Sequence, residues 1–116
     1  MSYFENQDWE EAILSYTKAI SLETQLVNDL KIGTENLSFY YNNRGLAKYH
    51  LSQFDDAIED FNDAINKNYQ NSENYFNRGN VRLHQENFEL AHEDYDKAIM
   101  LDPSNAKLFH AKGLAF

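Results

Sequence analysis

Apolar side chains recur every three or four residues in several stretches of this chain, and short polar breaks separate the stretches. Tyr41, Gly45, Tyr49 and Leu51 form one stripe. After Ser52-Gln53 a second begins with Phe54, Ala57, Ile58, Phe61, Ala64 and Ile65, and Asp55, Asp56, Glu59, Asp60 and Asp63 stand between them. This is the spacing of helices that bury one face. Upstream, Tyr16, Ala19, Ile20, Glu23, Leu26, Val27 and Leu30 keep the same spacing and predict a helix running to about Lys31. Gly33 is placed to stop it in a left-handed conformation. Thr34, Asn36 or Ser38 is placed to cap the next helix.

The pattern repeats. Laid over residues 72–105 without a gap, residues 38–71 are identical at 13 of 34 positions, among them Asn43/Asn77, Arg44/Arg78, Gly45/Gly79, His50/His84, Ala57/Ala91 and Asp60/Asp94. The phase continues outward. Trp9, Ala12, Tyr16 and Ala19 fall where Phe54, Ala57, Phe61 and Ala64 fall, and Lys107, Phe109, Lys112 and Gly113 begin another copy. A fixed period of this length is the signature of a stacked helical array. The chain divides into a leading part, 1–37, with a lengthened second helix and about eleven inserted residues. Two complete units follow, 38–71 and 72–105, and then the start of a further first helix, 106–116. On this reading the chain begins in the middle of a first helix. A glycine inside a helix costs about 1 kcal/mol relative to alanine. Gly45 and Gly79 at one phase therefore predict close helix crossings, opposite Ala57 and Ala91. Arg44 and Arg78 share a phase with Lys112, and Asp60 with Asp94. The expectation is a recurring ion pair, either within units (Arg44–Asp60, Arg78–Asp94) or between them (Arg78–Asp60, Lys112–Asp94).

At these residues the chain resembles the tetratricopeptide repeat family. Its pattern of W-x2-L-G-x2-Y, then A-x3-F, then P stands here as Tyr41-x2-Arg44-Gly45 with Ala57-x3-Phe61. The next copy has Tyr75-x2-Arg78-Gly79, Ala91-x3-Tyr95 and Pro103. The family's leucine is a cation here, its first-helix tyrosine is Lys48 or Arg82, and its proline appears only as Pro103. The resemblance implies an all-α superhelical array of antiparallel helix pairs, with two complete units and partial units at both ends.

Composition narrows the function. Ten Lys and Arg against nineteen Asp and Glu give a net charge of −9, which argues against a grip on nucleic acid or an anionic membrane. The absence of cysteine excludes disulfides, thiolate catalysis and cysteine-ligated zinc. No apolar run suits a membrane span, and Met1-Ser2-Tyr3-Phe4-Glu5 has no signal-peptide character, so a cytoplasmic protein is expected. No phosphate-binding, zinc-protease or serine-hydrolase motif is present. Asp55-Asp56 and Glu93-Asp94 read as the polar side of amphipathic helices. No enzyme activity, metal or cofactor is expected.

What the resemblance implies for a site is a concave groove lined by first helices. Its first set is Phe39, Asn42, Asn43, Leu46, Tyr49 and His50. The second is Glu73, Phe76, Asn77, Asn80, Leu83 and His84, and Lys107, His110, Ala111 and Leu114 come from the last. Asn43 and Asn77, one period apart, either hold the backbone of an extended peptide or bond their own scaffold. In some members of the family a Lys/Asn, Asn, Lys/Arg clamp holds a C-terminal carboxylate. In one register Asn77 and Lys107 fit, but Asn42 and Leu46 hold the Lys/Asn places and Ala111 the Arg place, and two matches of five do not make a clamp. In the other Asn43 fits, and Glu73 and Asn77 replace the cations. The expected function is therefore a scaffold that binds a peptide or helix of another protein, with basic flanks on the ligand. The alternatives are the repeat arm of a larger enzyme, and self-association or membership of a longer array through apolar open ends.

Overall fold

The computed structural model describes residues 3–30 and 35–104. Among them all regular structure is helical: α1 (Tyr3–Leu30), α2 (Glu35–His50), α3 (Phe54–Lys67), α4 (Ser72–His84) and α5 (Phe88–Leu101). Each helix packs on the one before it and the one after it, and α2 also touches α4. The chain is thus a stack of hairpins in which α2 and α4 stand side by side.

The core lies where the sequence put its small and aromatic residues. Ala57, Phe61 and Ala64 of α3 and Ala91, Tyr95 and Ala98 of α5 are fully buried. Val81 of α4 joins Ala57 and Phe61 in one cluster, which ties the two hairpins together. Burial of a side chain as large as Phe61 stabilises by about 2–3 kcal/mol. The glycines have a more specific partner than expected. A Cβ on Gly45 would lie 2.8 Å from Phe61 Cε1, and one on Gly79 would lie 2.8 Å from Tyr95 Cε1. The aromatic ring one turn beyond each alanine, rather than Ala57 or Ala91 itself, demands the missing side chain.

Two helix boundaries differ from expectation. α1 runs unbroken through the residues before Trp9, where a first helix was expected to end, so no left-handed residue intervenes there. α2 begins at Glu35, which places Ser38 inside the helix instead of at its cap. Buried Ser38 donates its hydroxyl to the Ala64 carbonyl at 2.8 Å and accepts Asn74 Nδ2 at 3.1 Å. One hydroxyl therefore joins α2, the end of α3 and the start of α4, and a burial this complete is tolerated because both hydrogen-bonding roles are filled. Asn71 caps α4 by accepting the Glu73 amide at 3.0 Å. The expected stop at Gly33, the cap at Thr34 and everything from Asn105 onward, including Lys107 and Lys112, lie outside the described residues.

The turns inside the hairpins are the same in both units. Ser52 and Glu86, one period apart, have φ of 62° and 61°. The amide of Gln53 reaches back to the Lys48 carbonyl, and that of Asn87 to the Arg82 carbonyl, both at 2.9 Å or less. This is a helix ending of the six-to-one type, built on a left-handed residue that is not glycine.

The expected ion pairs form within units. Arg44 holds Asp60 with two hydrogen bonds of 2.9 and 2.7 Å, and Arg78 holds Asp94 with two of 3.0 and 2.8 Å. Each aspartate also takes a second cation one turn along the same helix: Lys48 at 3.0 Å from Asp60, Arg82 at 2.8 Å from Asp94. The cations Lys48 and Arg82 stand where the family pattern has a tyrosine. The third guanidinium arm crosses to the preceding second helix, Arg44 to Thr17 Oγ1 at 3.2 Å and Arg78 to Asn62 Oδ1 at 2.8 Å. The Asp60 hydrogen bonds raise the Arg44 pKa further above its ordinary value, against the opposing effect of burial.

The aspartates are only 3–4% exposed and their cations 17–18%. Removing one member of a buried pair strands the others in low dielectric and costs about 3–5 kcal/mol. Asp60→Ala and Asp94→Ala are each expected to destabilise the chain by about 3 kcal/mol in urea melts, since the cations keep some solvent.

Candidate functional site

The face shared by α2 and α4 is where the sequence places its candidate ligand contacts, and its polar groups follow from the repeat. Asn77 is 5% exposed and donates Nδ2 to Asn42 Oδ1 at 2.9 Å, so the second amide of the expected ladder is joined to the neighbouring first helix. The side chain of Asn43, at the same phase in α2, is half-buried and makes no hydrogen bond among the described residues. The two equivalent asparagines thus stand in different states.

Asn80 is also engaged. Its Oδ1 accepts the Tyr95 hydroxyl at 2.7 Å. One period earlier the same two places hold Leu46 and Phe61, which pack together in the core. An apolar pair in one unit is thus replaced by a hydrogen-bonded pair in the next, and neither buried polar group is orphaned. Burial, assisted by Tyr49 and then Asp94, pushes the Tyr95 phenol up to about 12.

The remaining candidates divide between core and surface. Leu46 packs on the Ala57–Phe61–Val81 cluster, and Phe76 and Leu83 pack against Ala91 and Tyr95. Phe39 is exposed, with its ring 5.9 Å from that of Tyr40 in an edge-on arrangement. His50 and His84 do not approach a common ligand. Instead each stacks on an aromatic residue at one shared phase of the repeat, His50 on Trp9 (4.3 Å, 13°) and His84 on Phe54 (5.8 Å, 27°). Tyr49 touches both histidines, at 5.5 and 5.1 Å, and burial raises its phenol pKa. In the sequence the shared phase of Trp9 and Phe54, and of His50 and His84, is the one trace of these stacks. Lys107, the last candidate, lies outside the described residues.

Electrostatically the face is poor in cations. Arg44, Lys48, Arg78 and Arg82 all turn to Asp60 and Asp94. Among the described residues no cluster of His, Asp or Glu suits a metal ion. No helix among them is long and apolar enough to cross a membrane.

The comparisons with known proteins agree with this geometry. Residues 72–105 match the family model of the tetratricopeptide repeat. No curated protein sequence matches the chain. Among solved structures it is similar to the TPR domain of Arabidopsis OM64, with a TM-score of 0.80 and 26% identity over 97% of this chain and 84% of that one. It is similar to the TPR2B domain of yeast Sti1 in a pHsp70 complex, at TM-score 0.80 and 25% identity over 97% and 86%. The first TPR of Spaghetti (RPAP3), bound to the HSP90 peptide SRMEEVD, gives 0.76 and 26% over 97% and 81%.

The Asn80–Tyr95 pair makes a test of the packing under this face. Tyr95→Phe leaves Asn80 unpaired and Asn80→Leu leaves the phenol unpaired, each at about 1–3 kcal/mol. The double variant copies the Leu46–Phe61 arrangement and is expected to recover most of that loss, as a double-mutant cycle by urea melts would read. The raised phenol pKa has its own signature. Below pH 10 the phenol is neutral in both the folded and the unfolded chain. Between pH 10 and about 12 it ionises only when unfolded, so stability falls across that window by about 2 kcal/mol. In Tyr95→Phe that part of the alkaline loss is expected to vanish from the pH profile.

Proposed function

From the premise that the chain is a tetratricopeptide-repeat protein, we propose that it is a non-catalytic protein-interaction module that takes a peptide or helix of a partner across the face of α2 and α4. The contacts would come from Phe39, Asn43, His50 and His84, with Lys107 extending the site. Asn42, Asn77, Asn80, Leu46, Tyr49, Phe76 and Leu83 form its floor. A cytoplasmic setting belongs to the same reading.

The observation that carries the choice of ligand is the destination of the cations. The RPAP3 domain is bound to the HSP90 peptide SRMEEVD, which carries more carboxylates than cations. Here the four cations of α2 and α4 are bound to Asp60 and Asp94, and Glu73 and Asn77 stand where one clamp register has lysine and arginine. Among the described residues of this face a carboxylate-ended ligand would meet amides and a carboxylate. With a net charge of −9, the protein instead favours a ligand with basic flanks.

Titration calorimetry against SRMEEVD and against basic-flanked peptides chosen by display tests this. SRMEEVD is expected to bind no tighter than about 1 mM, and the selected peptides are expected to weaken steadily as salt rises. Asn43→Ala is expected to lower their affinity roughly tenfold, the worth of about 1.4 kcal/mol of hydrogen bonding. Micromolar binding of SRMEEVD, or affinity indifferent to Asn43, would reject the reading.

A further inference from the structure

The outer side of the second helices carries a pair of charges that the scaffold does not need. At two phases of the repeat α1 has Leu14 and Lys18, α5 has Glu93 and Lys97, and α3 has Glu59 and Asp63. A glutamate followed four residues later by a lysine supports a helix, whereas two acids at that spacing oppose it. Of the three second helices, α3 alone holds the unfavourable pair. Both of its acids are exposed, and neither has a hydrogen bond or ion pair among the described residues.

Glu59 and Asp63 line a groove of about 340 Å³ together with Arg44 and Lys48 of α2. Both cations are bound to Asp60, at 2.7 and 3.0 Å, so the two outer carboxylates are left without one. On its other side stands α1. Arg44 sends one arm to Thr17 Oγ1 at 3.2 Å, and Leu14 precedes Thr17 by one turn. Leu14 and Leu22 are 65% and 63% exposed, two turns or about 12 Å apart along the helix. Their exposure belongs to the repeat. The same phases of α3, Glu59 and Lys67, are exposed although a first helix packs on either side of it, and Glu93 of α5 is exposed as well. Leucines at these two phases therefore serve no packing within the array.

We infer that this outer groove between α1 and α3 docks a basic amphipathic helix of a partner protein, apart from the shared face of α2 and α4. Two apolar side chains of the ligand, two turns apart, cover Leu14 and Leu22, whose burial supplies affinity. Two cations one turn apart on an adjoining face of the ligand reach Glu59 and Asp63. Lys18, between the leucines, keeps those cations on the α3 side. A bound cation relieves the repulsion along α3, and the net charge of −9 draws a basic segment in. The same charge disfavours a second copy of this chain as the occupant.

The probe is the capped helical peptide LKKLLKLLKKLLKL, with leucine on one face and lysine on the other, added to the ¹⁵N-labelled 116-residue chain. Saturable amide shifts are expected along residues 14–22 and 59–63. Leu14→Ser combined with Leu22→Ser, two changes at exposed side chains, should weaken binding roughly tenfold or more. Asp63→Lys gives α3 the acid–lysine pair of α5, where Lys97 lies 6.0 Å over the Tyr75 ring. It should raise the urea midpoint of the free chain and yet weaken the peptide roughly tenfold, a combination that a merely structural role of Asp63 would not produce. Exchanging every lysine of the peptide for glutamate should abolish the shifts. Shifts centred on Phe39 and Asn43 would place the peptide on the other face and overturn the inference. So would binding indifferent to the double leucine variant, the mark of charge attraction alone. Concentration-dependent shifts at Leu14 without peptide would overturn it too, because they would identify a second copy as the occupant.

Discussion

Everything in this array is referred to one contact: a buried aspartate on the second helix of each hairpin, gripped by two cations one turn apart on the first. Asp60 and Asp94 carry a single negative charge each, and each faces two positive groups. The arginine is fixed on three sides. Its guanidinium is bidentate on the carboxylate, lies 5.5 Å over Tyr41 or 5.6 Å over Tyr75, and sends its third arm to the preceding second helix. A planar fork can do all of this at once and an ammonium cannot. The grip sets the rotation of the two helices about their axes. That rotation puts Phe61 and Tyr95 against the bare backbone of Gly45 and Gly79, and it leaves α2 and α4 adjacent along their other face. It also removes the cations from that face, so the same contact that orients the scaffold determines the charge a ligand meets.

The two complete units solve the same packing problem with different chemistry. Leu46 and Phe61 fill their place by apolar contact, whereas Asn80 and Tyr95 fill theirs with a hydrogen bond. The ring stays in both, packed against the bare backbone of the glycine opposite, and the variation is confined to the far edge of the ring. Asn43 and Asn77 show the complementary case of identical residues with different duties. Asn77 has a first helix before it whose Asn42 accepts its amide. Sequence identity at a repeat phase therefore reports the local fold, and the neighbour decides whether the side chain is committed or free to meet a ligand.

The helices, their pairing and the aspartate grip were legible in the sequence because each depends on a periodic signal written twice. What escaped it depends on things a period does not encode. The continuous helix through residues 3–8 escaped because a helix persists wherever no left-handed residue interrupts it, and polar residues alone do not interrupt one. Ser38 was one of three cap candidates on local grounds, but its partners lie 26 and 36 residues away. The second cations were visible as departures from the family pattern, yet nothing one-dimensional said that Lys48 and Arg44 would reach the same carboxylate. The candidate groove residues mix two kinds of side chain, since Phe76 packs into a core cluster and Phe39 is exposed.

The closure of each aspartate grip inside its own hairpin bears on how such a protein can lengthen or shorten over evolutionary time. Only neutral acceptors, Thr17 and Asn62, are asked of the neighbouring hairpin. A duplication or deletion of one 34-residue module would consequently leave no orphan ion in the interior, and the joint would need only a hydroxyl or an amide in the right place. Had the pairs crossed between hairpins, every change in copy number would have stranded a charge at the new boundary.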